Sequence, residues 1–175
     1  MKSNEYNENK EPFLNENGLC LPSFPVKVSM HNDTPFIYDE VRCKEVALTP
    51  EEWVRQHFLH WMMGDLGYPR IALSNEAILP GTKRRGRTDT IVFGTGGVVW
   101  MIIEFKAPDV SITEKVWDQL LSYNLRYKAP LLVASNGRSI IVAQVDYEVG
   151  KASFLKEMPH WHELKKLVSG GGISM

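Results

Sequence analysis

The sequence predicts an α/β (α+β) fold, a mixed central β-sheet flanked by helices, with a β extension at its N-terminal side. Three observations carry this reading. Helical periodicity with a start signal recurs at Thr49–Met62 and again over residues 112–127. The runs at 98–106 and 131–134 are apolar at successive positions, so both faces of these strands need a cover of helices or loops. The segments follow one another as α-β-β-β-α-β-β-α, an order that suits a sheet with helices packed against it.

In order along the chain, the first ~20 residues read as a flexible arm rich in Asn, Glu and Lys. Phe24 to Met30 alternates apolar and polar residues, the pattern of a half-buried strand. His31-Asn32-Asp33-Thr34-Pro35 is turn-forming, and Phe36 to Val41 suits the hairpin partner. Thr49 is a natural N-cap, Pro50 is favoured at the first helical position, and Glu51 and Glu52 suit the positive end of the helix dipole. Glu52 also falls where a capping box needs it. Val54, Phe58, Trp61 and Met62 form one apolar face, and Gly67 with Pro69 ends the helix.

Ile71 to Leu79 and Thr88 to Phe93 read as strands. The turn Gly94-Thr95-Gly96-Gly97 leads into a longer strand over Val98 to Lys106. A second helix is expected from about Ile112 to Tyr127, capped by Asp109 or Ser111. Leu131–Ala134 and Ile140–Val145 flank Asn136-Gly137, a strong hairpin signal. A last helix, about His160 to Val168, precedes a Gly-rich tail. The domain expectation is therefore an arm over 1–20, a single domain over 21–168 and a tail over 169–175.

Composition narrows the class. With 175 residues, 43% hydrophobic and 23% charged, the chain is ordinary for a globular domain, which excludes collagen-like, coiled-coil and wholly disordered readings. A net charge of −1 carries no message by itself. The two cysteines, Cys20 and Cys43, make neither a disulfide framework nor a C-x-x-C zinc pair. No apolar run approaches the ~20 residues of a membrane span, and the N-terminal stretch lacks a secretory h-region. A reducing, cytoplasmic setting with no membrane association is expected. His57/His60 and His160/His162 have ligand-like spacing but no third partner in sequence reach.

Two charges stand out. Glu104 and Lys106 end an apolar strand, where charge is costly without partners or water. Residues i and i+2 of a strand share a face, with Cα atoms roughly 6.6 Å apart. A carboxylate there suits a hard divalent cation. The amine beside it can orient a water or steady charge on a phosphate. A hairpin turn centred on Thr95-Gly96 would set Asp89 opposite Ile102, diagonal to Glu104 and on its face. A slip of one residue would send Asp89 to the far side. On the second helix, Val116, Gln119, Leu120 and Tyr123 recur at helical spacing, so Gln119 and Tyr123 lie in or beside the apolar stripe. Lys83, Arg84, Arg85 and Arg87 form a basic cluster just before Asp89, equally readable as a solvated loop.

Asp89, then Glu104-Phe105-Lys106, then Gln119 and Tyr123 resembles the D…E-x-K…Q-x-x-x-Y pattern of the PD-(D/E)xK nuclease superfamily. Closer still, five segments look like the N-terminal nuclease domain of type I restriction enzyme R subunits: Thr49-Pro50-Glu51-Glu52-Trp53-Val54-Arg55-Gln56, Gly67-Tyr68-Pro69, the Lys83 to Asp89 stretch, Ile103 to Pro108, and Ser135-Asn136-Gly137. The resemblance implies a restriction-endonuclease-like αβββαβ core. In it Asp89, Glu104 and the Phe105 carbonyl would ligate Mg²⁺ or Mn²⁺, and Lys106 would position the attacking water. Gln119 and Tyr123 would shape the site. Position 88 is Thr, where the name-giving motif has Pro. The first helix often supplies another acid in this superfamily, and Glu51, Glu52 and Gln56 are all possible counterparts.

The implied function is a metal-dependent nuclease hydrolysing phosphodiester bonds in DNA, tied to restriction or defence. Lys83, Arg84, Arg85 and Arg87 would contact phosphates. DNA and other restriction or defence subunits are the expected partners, and a homodimer is compatible with cutting two strands. The rival reading is a module on the same fold that binds nucleic acid or a partner without cutting. RNA is an alternative substrate, since fold does not choose it. No G-x-x-x-x-G-K-[ST] loop occurs, so the ATP motor of R subunits is not recognisable here.

Overall fold

The structure, a computed structural model, describes residues 18–76 and 88–170. A three-stranded antiparallel sheet comes first: β1 (Val28–His31), β2 (Thr34–Asp39) and β3 (Lys44–Ala47), in spatial order of sequence. Asn32 and Asp33 form the β1–β2 turn, both at positive φ, the conformation that tight two-residue hairpins demand. This is the expected β extension. It differs in detail: β1 is shorter than the alternating run, and β3 has no clear pattern in the sequence.

Helix α1 (Pro50–Gly64) follows, then β4 (Leu73–Asn75), β5 (Thr90–Phe93), β6 (Val99–Phe105), α2 (Glu114–Tyr127), β7 (Leu131–Ser135), β8 (Ile140–Asp146), β9 (Lys151–Leu155) and α3 (Trp161–Gly170). The second sheet runs β4-β5-β6-β7-β8-β9 in space. Only β6 and β7 pair in parallel, joined by α2 as the crossover that parallel strands require. The fold is thus α+β around a mixed sheet. Strand β9, mostly exposed, was not expected, and α2 is capped at Thr113 rather than at Asp109 or Ser111.

Both faces of β6 are covered. Met101, Ile103 and Phe105 join the core formed with Val54, Phe58 and Met62 of α1 and Leu164 and Val168 of α3. Ile102 on the other face packs with Val116 and Leu120 of α2 and with Leu132 and Ala134 of β7. At the β5–β6 turn Gly94 is required by close approach: a Cβ there would lie 1.7 Å from the Trp100 ring.

The chain is already packed before residue 21, contrary to an arm reaching Cys20. Leu19 and Leu21 are fully buried, and the Cys20 amide donates to the Gly137 carbonyl at 2.7 Å. Residues 1–17 of the arm and 171–175 of the tail lie outside the described residues, and α3 itself runs to Gly170. No helix among the described residues is long and apolar enough to cross a membrane.

Candidate active site

Four elements meet at the C-terminal end of β6. The β5–β6 register decides whether their charges converge. Thr90 pairs with Ile103 and Ile91 with Ile102, so continuing the register sets Asp89 opposite Glu104. The expected partner, Ile102, was two residues off. One residue comes from the turn, which closes Gly94 on Val98 rather than on Gly97. The other comes from an irregularity beyond Val92, where Phe93 pairs with Val99. A single slip would have moved Asp89 across the sheet; two slips restore the face.

Asp89 is held from both sides. Its Oδ2 accepts the Phe105 backbone N–H at 2.7 Å, and its Oδ1 accepts from Arg55 Nη2 of α1 at 2.9 Å. Burial raises its pKa, and the Arg55 charge opposes that rise. Glu104, 2% exposed, receives Lys106 Nζ and Gln119 Nε2 on the same oxygen, Oε1, each at 2.5 Å. Its other oxygen, Oε2, is buried and accepts no hydrogen bond from the described residues. Burial first, and the Asp89 charge second, push the Glu104 carboxyl up to about 7; Lys106 pulls the other way. Burial works against the Lys106 charge, but the hydrogen bond to Glu104 and the charges of Glu104, Asp89 and Glu51 raise its pKa overall. Lys106 is therefore a cationic donor rather than a free base.

Gln119, half-buried on α2, spends its amide on Glu104 and on the Tyr123 hydroxyl, the latter at 3.2 Å. Tyr123 thus adjoins the site through Gln119. The Phe105 backbone enters through its N–H on Asp89, next to the carbonyl named from the sequence. Lys83, Arg84, Arg85 and Arg87 lie outside the described residues.

The three first-helix alternatives separate. Glu52 is buried and fully engaged. Its amide donates to the Thr49 cap at 3.1 Å, and its carboxylate accepts from Arg42, Arg55 and Gln56. The capping box is half made, because the Thr49 N–H turns to Ala47. Gln56, 1% exposed, serves Glu52. Glu51 alone is half-open, with Arg55 Nη2 at 3.6 Å. Burial and then the Asp89 charge raise its pKa.

Arg55, together with the ion pairs behind it, was missed in the sequence. Asp39, Arg42, Glu52, Arg55 and Asp89 form a continuous run of alternating charges that leads from the three-stranded sheet to the site. One signal was present: Arg55 lies three residues before Phe58 and seven before Met62, on the buried stripe of α1. His57 is buried with Nδ1 at 2.9 Å from the Trp53 carbonyl oxygen, and no three His, Cys, Asp or Glu side chains form a metal cage among the described residues.

The model of the family described as the type I restriction enzyme R protein N terminus matches residues 50–159. Among solved structures, a fragment from Vibrio vulnificus YJ016, assigned as an HsdR subunit of a type I restriction enzyme, shares the fold. Its TM-score is 0.53 at 18% identity, over 71% of this chain and 26% of that one. The chain thus spans about a quarter of that protein's length. No curated protein matches it.

Proposed function

The chain belongs to the type I restriction enzyme R protein N-terminal family, and on that premise we propose that it hydrolyses phosphodiester bonds in DNA with Mg²⁺ or Mn²⁺, as the nuclease part of a restriction machinery. The observation that carries this reading is Glu104. A buried carboxylate with one oxygen bonded twice and the other without a donor among the described residues is costly unless something positive meets the remaining lone pairs. Asp89 faces it across the β5–β6 pair and worsens the repulsion.

Asp89 and Glu104, with the Phe105 carbonyl, are a donor set for a hard cation that keeps several waters of its own, which is how Mg²⁺ is usually held. Bound there, the ion would supply a Lewis acid and a more acidic water. The chain's own residues do the rest. Gln119 and Lys106 fix Oε1 of Glu104, which would leave Oε2 to hold the ion. Lys106, partly exposed and cationic, donates toward the attacking water or a phosphate oxygen as negative charge develops. Asp89 is held rigid by Arg55 and the Phe105 amide, which preserves its aim. Lys83, Arg84, Arg85 and Arg87, whose cluster ends two residues before Asp89, supply phosphate contacts.

The test is cleavage of duplex DNA, single-stranded DNA and RNA in parallel, with Mg²⁺, with Mn²⁺ and with chelator. Duplex DNA is expected to be cut in a metal-dependent way. Glu104→Ala and Lys106→Ala should each lose at least about 10³-fold in rate, the scale of one lost charge-stabilising group, and stay folded. Cutting by Glu104→Ala at the wild-type rate would sink the assignment.

A second reading, a nucleic-acid-binding or partner-binding module that does not cut, has one observation on its side: both oxygens of Asp89 are already hydrogen-bonded within the chain. Calorimetry separates the two. The nuclease should take up Mn²⁺ through Asp89 and Glu104, whereas the module should bind DNA equally with chelator present.

A further inference from the structure

We propose that Arg55 is a positioning residue that aims Asp89 and stands in the place of a second cation, so that the site loads one divalent ion. This rests on the nuclease reading above and concerns how that same site is charged.

The guanidinium is fixed on several sides. Nη1 donates to Glu52 Oε2 at 2.6 Å, and Glu52 is itself held by Arg42 and Gln56. The guanidinium carbon lies 5.8 Å from the centre of the Phe105 ring. Arg55 is buried, with 4% of its surface exposed. Its Nη2 lies between two acids from different elements, 2.9 Å from Asp89 Oδ1 and 3.6 Å from Glu51 Oε1. Two-metal sites need further carboxylates to hold the second ion. Glu51 and Asp89 are the pair free to do so, because Glu52 is consumed by Arg42, Arg55 and Gln56. The place between them already holds a positive charge that a protein cannot neutralise by deprotonation.

The orientation follows the acids rather than the arginine's own needs, since the buried Nε has no acceptor among the described residues. Asp89 keeps lone pairs for one ion beyond its two hydrogen bonds, because an ionised carboxylate has about four acceptor positions. A divalent ion between Asp89 and Glu51 would have to displace a side chain tied to Glu52. An ion between Asp89 and Glu104 displaces nothing from Oε2.

The experiment counts Mn²⁺ bound to the metal-depleted full chain by electron paramagnetic resonance of the free ion, at neutral pH and on folded protein. Wild type should bind one ion. Arg55→Lys should also bind one, at least ten times more weakly, because an ammonium cannot fork between Glu52 and Asp89. Arg55→Gln, which removes the charge and keeps donors for Glu52, should bind two. A purely structural arginine would change unfolding temperature while leaving count and affinity of the folded protein untouched.

Two ions on wild type, or one on Arg55→Gln, would overturn the displacement. An unchanged affinity in Arg55→Lys would overturn the positioning. If Arg55→Gln does not fold, the wild-type count and the Arg55→Lys affinity decide. No ion on wild type would overturn the nuclease reading and this proposal with it. The other failures leave that reading intact.

Discussion

Behind α1, Asp39, Arg42, Glu52 and Arg55 alternate in sign, and the carboxylate oxygens of Asp39 and Glu52 all have donors. At the end of β6, three acids, Glu51, Asp89 and Glu104, face Lys106, and Glu104 keeps a buried oxygen with no donor among the described residues. The two regions share Arg55 and differ in what they lack. The first is electrically closed, which suits a strut joining the three-stranded sheet to the helix. Among the described residues the second sets three acids against Lys106 and the shared Arg55, which suits a place where a positive ligand arrives. The lesson is that burial of charge does not by itself mark a site; incompletely matched burial does.

The largest effect should come from breaking the closed side. Arg42 connects Asp39, Glu52 and Glu76, and its side chain is only 10% exposed. Removing one partner of a buried pair typically costs about 3–5 kcal/mol, because the remaining charges are stranded. Arg42→Met should therefore lose stability on that scale in urea unfolding, while the fraction that stays folded keeps its Mn²⁺ affinity. A loss under about 1 kcal/mol would show that the run of charges is not a strut, and the contrast between the regions would weaken.

The open side should respond with the opposite sign. In metal-free protein the Glu104 pKa is raised from 4.5 to about 7. A raised carboxyl binds more protons folded than unfolded, so the contribution of Glu104 to stability is greatest below pH 4.5 and is lost as pH rises through 7. At about 1.4 kcal/mol per unit, the loss is roughly 3 kcal/mol. Asp89 shares the direction, and losing the Glu104 charge relieves it as well. Glu104→Gln should flatten this slope, so that with chelator the variant is more stable than wild type at pH 8 and nearly equal at pH 4. Equal slopes in the two proteins would mean that Glu104 is not under strain, and the comparison would lose its open half.

How far each region could be read in the sequence follows from the range of its interactions. Glu104, Lys106, Gln119 and Tyr123 sit on one strand and the helix that follows it, so period-two and period-3.6 patterns place them on shared faces without knowledge of the fold. Asp89 was placed on the right face by a register two residues out, because turn length and the irregularity beyond Val92 are invisible to alternation. The charge run was illegible for a different reason. Asp39 and Arg42 pair locally in the turn after β2, but Arg42 reaches Glu52 only once that turn packs against α1, and each alone looks like an ordinary surface charge. Arg55 was the exception, betrayed by its place on a buried stripe. Likewise Glu52 looked like a helix cap, and only the coordinates show Arg42, Arg55 and Gln56 on its carboxylate.

The smallest effect should come from the joint between α2 and the site. Gln119 donates to Glu104 Oε1 and to Tyr123, and both residues are half-buried. Loss of a partly solvated neutral donor is typically worth about 1 kcal/mol, because water can replace it. Gln119→Leu should then leave unfolding within about 1 kcal/mol of wild type and lower the cleavage rate about tenfold, the rate equivalent of a similar free energy. The mechanism is freedom: with Lys106 as its only remaining donor among the described residues, the Glu104 carboxylate can rotate, and Oε2 no longer faces one direction. Tyr123→Phe removes only the acceptor of Gln119's second hydrogen and should cost less again. The order Glu104, then Gln119, then Tyr123 is what positioning by successive contacts requires. If Gln119→Leu proved as damaging as Glu104→Ala while remaining folded, Gln119 would be touching the reacting groups itself, and α2 would belong to the open region rather than to its support.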